Sequence, residues 1–372
     1  MSNHIKALAE QFGIADLHTP LRRLGLSESE IDDTARLLSL AWNGNDRARI
    51  AVNEALTTSD LFVSASGEVF DRALMAEYDR MPVQWTKVSS RTTVNDFRPK
   101  KLVDLLGGRG TLAKVPEHTN YPEASTSSAE IEIFVEKYGE QYGYTFEARK
   151  NDRLNELQRI PSGFAAKARA TEDVATLAAL ASPLTGAPNT AFFKPANKNI
   201  YTGALTADNV QAAITAASTQ RDSEGNLLYP GALQVVVGPA LRFTAARIFG
   251  AQQIRTTTGG VEVVESNPLA GQGWTVLDNL PGTAWFLLPV PSAPRPALFT
   301  AFLVGEEQPD LRVKKDQGAS LSGGDLPADA GSFDDDTIYF RVRHITGGAT
   351  GDPKFALASD GTGTVLTKAG WS

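Results

Sequence analysis

Apolar residues recur over the first 58 positions at helical spacing. Ser27-Glu28-Ser29-Glu30 has the form of a capping box, in which a Ser hydroxyl accepts an orphan N–H and Glu30 reaches back to the cap. Ile31, Ala35, Leu38 and Trp42 follow at i, i+4, i+7 and i+11, which places an apolar stripe on one face. Asn43-Gly44-Asn45-Asp46 ends that helix, and Arg47–Leu56 forms another. These short units have no wide core of their own, so they need a partner.

From Asp60 to Gly110 the pattern is mixed and extended, with Trp85, Val88, Val94 and Phe97 separated by polar residues. The run Leu105-Leu106-Gly107-Gly108-Arg109-Gly110 punctuates it with glycines that tolerate positive φ. Leu112–Pro116 reads as a short strand and Glu117–Ser128 as a polar loop holding Ser125-Thr126-Ser127. Ala129–Glu147 then alternates for longer than an ordinary strand of about five or six residues. Ile131, Ile133 and Val135 share one parity, whereas Tyr138, Tyr142, Tyr144 and Phe146 share the other. A bulge or strong twist is therefore expected near Glu136–Gly139. A long two-stranded hairpin of this kind is not stable alone in water, and its natural place is against another subunit.

Asn151–Ile160 reads as a short helix broken by Pro161, and Ser162–Ser182 as a long alanine-rich one stopped by Pro183. Phe164, Leu177 and Leu180 are its bulky members, so its small face can lie closely on a sheet or a neighbour. Thr206–Ser218 is the next helix, capped by Thr206 with Asp208 in its first turn. After a turn at Asp222–Asn226 come a buried strand at Leu233–Val237 and Pro239 opening the helix Ala240–Phe249. The strands Val261–Val264, Thr275–Leu277 and Ala284–Leu288 complete an α/β unit, and Pro289, Pro291, Pro294 and Pro296 mark the exit from it. Two last strands, Ala297–Val304 and Thr337–His344, flank an acidic, Gly-rich loop around Gln317–Asp336.

The chain has 372 residues, 42% hydrophobic and 21% charged, a globular composition for two or three domain-sized units. Cys is absent, which removes disulfides, thiolate nucleophiles and Cys-containing zinc sites and fits a reducing cytosol. No apolar run reaches the roughly 18–20 residues of a membrane span, and Met1–Ile14 lacks the order of a signal peptide. The formal charge of −7 argues against a protein that coats DNA through a basic surface, but suits a container that must not stick to its contents.

Chemistry is sparse. Only His4, His18, His118 and His344 are present, none at metal-ligand spacing, and His344 in Arg341-Val342-Arg343-His344 reads as the solvent face of a strand. Gly107-Gly108-Arg109-Gly110-Thr111 lacks a phosphate-loop lysine, Gly361-Thr362-Gly363 lacks a third glycine, and no nucleophile elbow occurs. Asp334-Asp335-Asp336 is a solvated loop before it is a cation site, and Glu130/Glu132 point along one exposed strand edge. No catalytic, cofactor or metal residue is assigned, and the chain is not read as an enzyme.

The order of elements matches a known family. Trp85-Thr86-Lys87 with Asp96-Phe97-Arg98, then Lys137-Tyr138-Gly139, Asn151-Asp152-Arg153-Leu154 and Ile160-Pro161 carry the match in the first half. Leu233–Leu241 and Asp336–Arg343 carry it in the second. In these the chain resembles the major capsid (major head) proteins of tailed bacteriophages with the Hong Kong 97-type fold, most of all the Mu-type major head subunits. The resemblance runs from about Asp60 to Gly361. It implies an α+β fold in five parts: a helical N-terminal region and arm over 1–110, an extended β-hairpin loop over 111–150, and a peripheral domain with a long spine helix over 151–200. An axial α/β domain over 201–296 and peripheral return strands over 297–372 complete it.

The resemblance further implies self-assembly of many copies as pentamers and hexamers into an icosahedral head. That head would be built in the host cytoplasm and found in the virion, enclosing double-stranded DNA without sequence-specific binding. Scaffold, portal and decoration proteins would be further partners; no membrane and no cofactor are implied. Candidate inter-subunit contacts are Trp85, Phe97, Arg98, Lys114, Glu117, Tyr121, Lys137 and Tyr138. Lys114 and Lys137 lie where some members form a covalent cross-link, but no acceptor can be assigned. Residues 1–58 are short for the scaffolding segment that some members carry. Two rivals remain, an encapsulin-type nanocompartment shell and, from another class, a cytosolic α/β hydrolase.

Overall fold

In a computed structural model the described residues are 71–105, 128–150, 154–221, 231–258, 261–314 and 331–370, with 36, 37, 40, 45, 47, 48, 51, 115 and 316 singly. The expected turn at Asp222–Asn226 lies outside them, as do nearly all of the helices over 1–58 and all of Leu112–Pro116 but Val115.

Along the chain a helix over 71–80 (α1) precedes the strands β1 (Ser90–Val94), β2 (Lys100–Leu105), β3 (Ser128–Ile133) and β4 (Glu136–Tyr144). The helices α2 (Phe146–Lys150) and α3 (Leu154–Leu180), β5 (Ile200–Thr202), α4 (Ala207–Ser218), β6 (Leu233–Val237) and α5 (Arg242–Gly250) follow. The rest is strand: β7 (Gln253–Thr258), β8 (Val261–Ser266), β9 (Gly273–Val276), β10 (Trp285–Pro289), β11 (Leu298–Leu303) and β12 (Asp310–Val313). Last come the long β13 (Ile338–Thr350), β14 (Leu357–Ser359) and β15 (Thr367–Lys368). The fold is α+β, as expected.

The chain divides into two compact units. One combines residues up to Pro82 with Lys137–Thr171 and Gly305–Ile345. Here β12 runs antiparallel to the first half of β13, with Asp310 opposite Arg343 and Val313 opposite Phe340, and β4 also pairs with β13. The period-two burial of β13 turns Ile338, Phe340 and Val342 inward against Leu74 and Tyr78 of α1 and Phe164, Ala165 and Ala168 of α3. His344 shares that parity and is buried with its ring edge-on to Tyr78 at 5.8 Å, which corrects the solvent-face expectation. Its parity with Val342, rather than the two arginines around Val342, decides where it points.

The other unit holds Val83–Glu136, Glu172–Val304 and Thr346–Ser372. Its main sheet has the order β15-β5-β14-β10-β6-β9, with β10 antiparallel to both β6 and β14 and β9 parallel to β6. Both faces of this sheet are covered, which is why Leu233–Val237 and Trp285–Pro289 read as apolar runs rather than alternations. Val235, Val237, Trp285 and Leu287 face α4 and α5 through Val210, Ala213, Ala245 and Phe249. Val236, Phe286 and Leu288 face the end of α3 and Phe192 and Phe193. Thr206 caps α4 as expected, its hydroxyl accepting from the Asn209 N–H at 3.2 Å. In the same unit β1 runs parallel to β11, and β11 antiparallel to the second half of β13.

Two expectations fail here. Helix α3 does not break at Pro161 but runs through it from Leu154, supplying residues up to Thr171 to the first unit and the rest to the second. A proline inside a helix removes one i→i−4 bond and costs about 3 kcal/mol. Burial of Pro161 itself and of Phe164, Ala165, Ala168, Thr176, Leu177 and Leu180 along one face outweighs that. Nor is Ala129–Glu147 one hairpin strand. It parts at Phe134–Val135 into β3, which pairs with β2, and β4, which pairs with β13. The parity change thus marks a change of partner.

Candidate functional site

With no catalytic constellation in the sequence, the candidate site is the surface. Two ribbons of only two strands stand apart from the sheets among the described residues: β2 with β3, and β7 with β8. In the first, Leu102 is opposite Ile131 and Lys101 opposite Glu132, the latter two 3.9 Å apart and both exposed. In the second, Arg255 is opposite Val264 and Thr257 opposite Glu262. Isolated two-stranded ribbons are marginal in water, and among the described residues neither outer edge of either ribbon pairs with a further strand.

Large apolar side chains are exposed as well: Leu184 at 90%, Phe243 at 80%, Phe333 at 79%, Val365 at 66% and Phe97 at 54%. Single exposed apolar residues are ordinary. Three phenylalanines more than half open to water, each beside charged residues, are a different matter, because each exposes a ring that a contact would bury.

The expected contact residues have separate environments. Trp85 is buried within its own unit, in a 3-10 turn (Trp85–Lys87). Its indole N–H donates to Glu172 Oε2 at 2.9 Å, and the backbone N–H groups of Gln84 and Trp85 both donate to Asp173 Oδ1, at 2.9 and 2.8 Å. Phe97 and Arg98 are exposed in a turn where the Arg98 N–H donates to Asp96 Oδ1 at 3.1 Å. Lys137 is exposed and Tyr138 half-buried on β4. Lys114, Glu117 and Tyr121 lie outside the described residues. Two exposed rings, Phe243 and Phe333, are not among the residues expected from the sequence. The signal for Phe243 is its place off the buried Ala245/Phe249 side of α5; Phe333 is the one aromatic in an otherwise acidic, Gly-rich loop.

Electrostatics around Phe333 are local. Asp316 accepts from the Lys314 ammonium, which with the Ser332 hydroxyl holds its carboxyl below the ordinary value. Asp335 is likewise held low by the Tyr339 hydroxyl that donates to it. Among the described residues no group of acidic or histidine side chains has the arrangement to hold a metal ion, and no helix is long and apolar enough to cross a membrane.

The described residues define an α+β chain with a main sheet covered on both faces, two two-stranded ribbons and several exposed rings. The sequence model of a family described as phage capsid protein matches residues 128–359, more than half of the chain. The chain belongs to that family and is a capsid shell protein. No curated protein sequence matches it. Among solved structures it is similar to the mature capsid of bacteriophage PhiM1 (TM-score 0.43, 12% identity, 75% of this chain and 87% of that one). It is also similar to the capsid of cyanophage P-SCSP1u (0.43, 13%, 75% and 88%). A third is the SrpI encapsulin of Synechococcus elongatus (0.41, 11%, 74% and 85%).

Proposed function

We propose that this chain is the principal shell subunit of a phage head, assembling with copies of itself as pentamers and hexamers around double-stranded DNA. The observation that carries the reading is the pair of ribbons, β2–β3 and β7–β8, which have no third strand among the described residues. Their edges and the exposed rings gain partners on association, and large obligate interfaces bury well above about 2,000 Å². The β2–β3 ribbon, with the residues 106–127 that join its strands, is the element that extends over an adjacent subunit. The α/β sheet with α4 and α5 is the axial part, and α3 the spine. A net charge of −7 limits adhesion of the inner wall to packaged phosphates. Scaffold and portal proteins are the partners such a shell requires to close at one size and to admit DNA.

Electron microscopy of the purified full chain tests this. Closed shells support it, and shells filled with protein cargo favour an encapsulin. A chain that stays monomeric at high concentration, with scaffold supplied, refutes it. Removing Glu117–Ser128 separates the ribbon's role from the rest: particles that form as well without it would end the claim that this segment joins subunits.

A further inference from the structure

The solvent side of α5 is ordered. At about 100° per residue, Arg242, Ala246, Gly250, Phe243 and Arg247 follow one another round the helix within an arc of about 140°. All five are exposed. A ring, a methyl and bare backbone thus form an apolar strip with a guanidinium along each border, and α5 carries no acidic residue to neutralise them. Above Gly250 the space is open, since an added Cβ would meet nothing within 4 Å. On the other side Ala245 and Phe249 are buried in the core, so the strip is fixed in place.

A second surface has the opposite chemistry. Phe333, 79% exposed, is followed by the exposed Asp334, Asp335 and Asp336. The turn that presents it is closed by the Ser332 N–H on the Thr337 carbonyl (2.9 Å), the Asp336 N–H on the Ser332 carbonyl (2.9 Å) and the Phe333 N–H on the Asp316 carbonyl (3.0 Å). Gly331 enters it at φ 93°, where a Cβ would lie 2.3 Å from the Asp336 carbonyl oxygen, and Asp336 itself has φ 54°. The neighbouring cation, Lys314, is engaged by Asp316. The ring is therefore held out by a braced turn, and little freedom is lost when it is covered.

We propose that these are the two halves of one contact between copies of this chain. The Phe333 ring of one copy seats on the Phe243–Ala246–Gly250 strip of another, while Arg242 and Arg247 face the carboxylates beside it. The inference rests on the shell-subunit reading and names a contact within it. Each surface repels its own kind, positive against positive or acidic against acidic, so the complementary pairing is the favourable one. Aromatic and Arg side chains are also the residues that most often carry binding energy at an interface. Because the halves differ, the contact is heterologous: it passes from copy to copy and closes into rings or extends, as a shell requires.

The absence of cysteine makes the test direct. Ala246→Cys and Asp334→Cys, which keep the Phe333 ring, are made in separate full-length chains, mixed during assembly and oxidised. The expected result is a disulfide-linked heterodimer on a non-reducing gel. Shells without that cross-link overturn the contact and leave the shell reading intact. The cross-link without shells keeps the contact and overturns the shell reading. As a second measurement, Arg247→Asp and Asp334→Arg should each raise the concentration needed for assembly about threefold or more, and the two together should restore it. An effect of Arg247→Asp with none of Asp334→Arg would mean that the strip receives something other than this turn, and would refute the pairing.

Discussion

Trp85→Phe is the substitution whose cost can be worked most fully from the structure. Glu172 is fully buried, and its Oε2 accepts from the Trp85 indole N–H at 2.9 Å. Phenylalanine keeps an aromatic ring against Phe302, 5.9 Å from the Trp85 ring, but offers no donor. Leaving a buried acceptor short of its donor costs about 1–3 kcal/mol, and the smaller ring leaves unfilled space, so the total loss should be about 2–4 kcal/mol. The cavity part and the hydrogen-bond part can be told apart by repeating the change on Glu172→Met, which has no carboxyl to accept the bond. The coupling in the resulting cycle should be about 1 kcal/mol or more. Urea unfolding of the unassembled subunit, followed by far-ultraviolet circular dichroism, measures it. A loss below about 0.5 kcal/mol, or one equal in both backgrounds, would show that the Trp85 to Glu172 bond does not hold this turn in place.

Two further outcomes follow from the packing of α3 and from the turn around Phe333. Gly348→Ala puts a Cβ 2.2 Å from the Ala175 carbonyl oxygen and 2.6 Å from the Thr176 Cα, backbone atoms of α3 that cannot swing aside. It should cost at least about 1–3 kcal/mol and lower the melting temperature, whereas an unchanged melting curve would mean that α3 and β13 do not approach so closely. The turn around Phe333 should loosen in acid. Asp316 and Asp335 both have carboxyls held below their ordinary value of 3.8, by the Lys314 ammonium and the Tyr339 hydroxyl respectively. A carboxyl depressed in the folded state stabilises above its unfolded pKa and loses that contribution as pH falls through the folded one. Hydrogen exchange at Asp336 and Thr337, corrected for intrinsic rate, should therefore quicken below about pH 3.8 but not between about pH 5 and 8. Lys314→Met should remove the part due to Asp316. Equal protection throughout would contradict it.

Much of the second unit was legible because its signals are local. Thr206 with Asp208 starts α4, the Gly-Pro step after Val237 starts the 3-10 turn (Pro239–Leu241) leading into α5, and unbroken apolar runs give β6 and β10. What failed to read depends on partners distant in sequence. Alternation shows that Ile131 and Tyr142 belong to strands, but not that β3 joins β2 while β4 joins β13. Pro161 reads as a stop because its cost is local, while the burial that overrides it comes from α1 and β13.

Glu172 and Asp173 show where that boundary lies. Pro161, Phe164, Ala165, Ala168, Thr176, Leu177 and Leu180 mark the buried side of α3 at spacings of three and four, and two carboxylates fall in register with them. Their position on an otherwise apolar stripe is visible in the sequence and requires that something satisfy them. Which groups do so is not visible, because the donors on Gln84 and Trp85 lie 87 to 89 residues earlier in the chain. The same reasoning applies to Phe243 and Phe333 with the sign reversed. Each is an apolar ring that its own chain leaves exposed, so the fold leaves it available for a partner to cover. In the contact proposed above, complementary charge on another copy selects that partner, and such complementarity is visible only when both surfaces are seen folded.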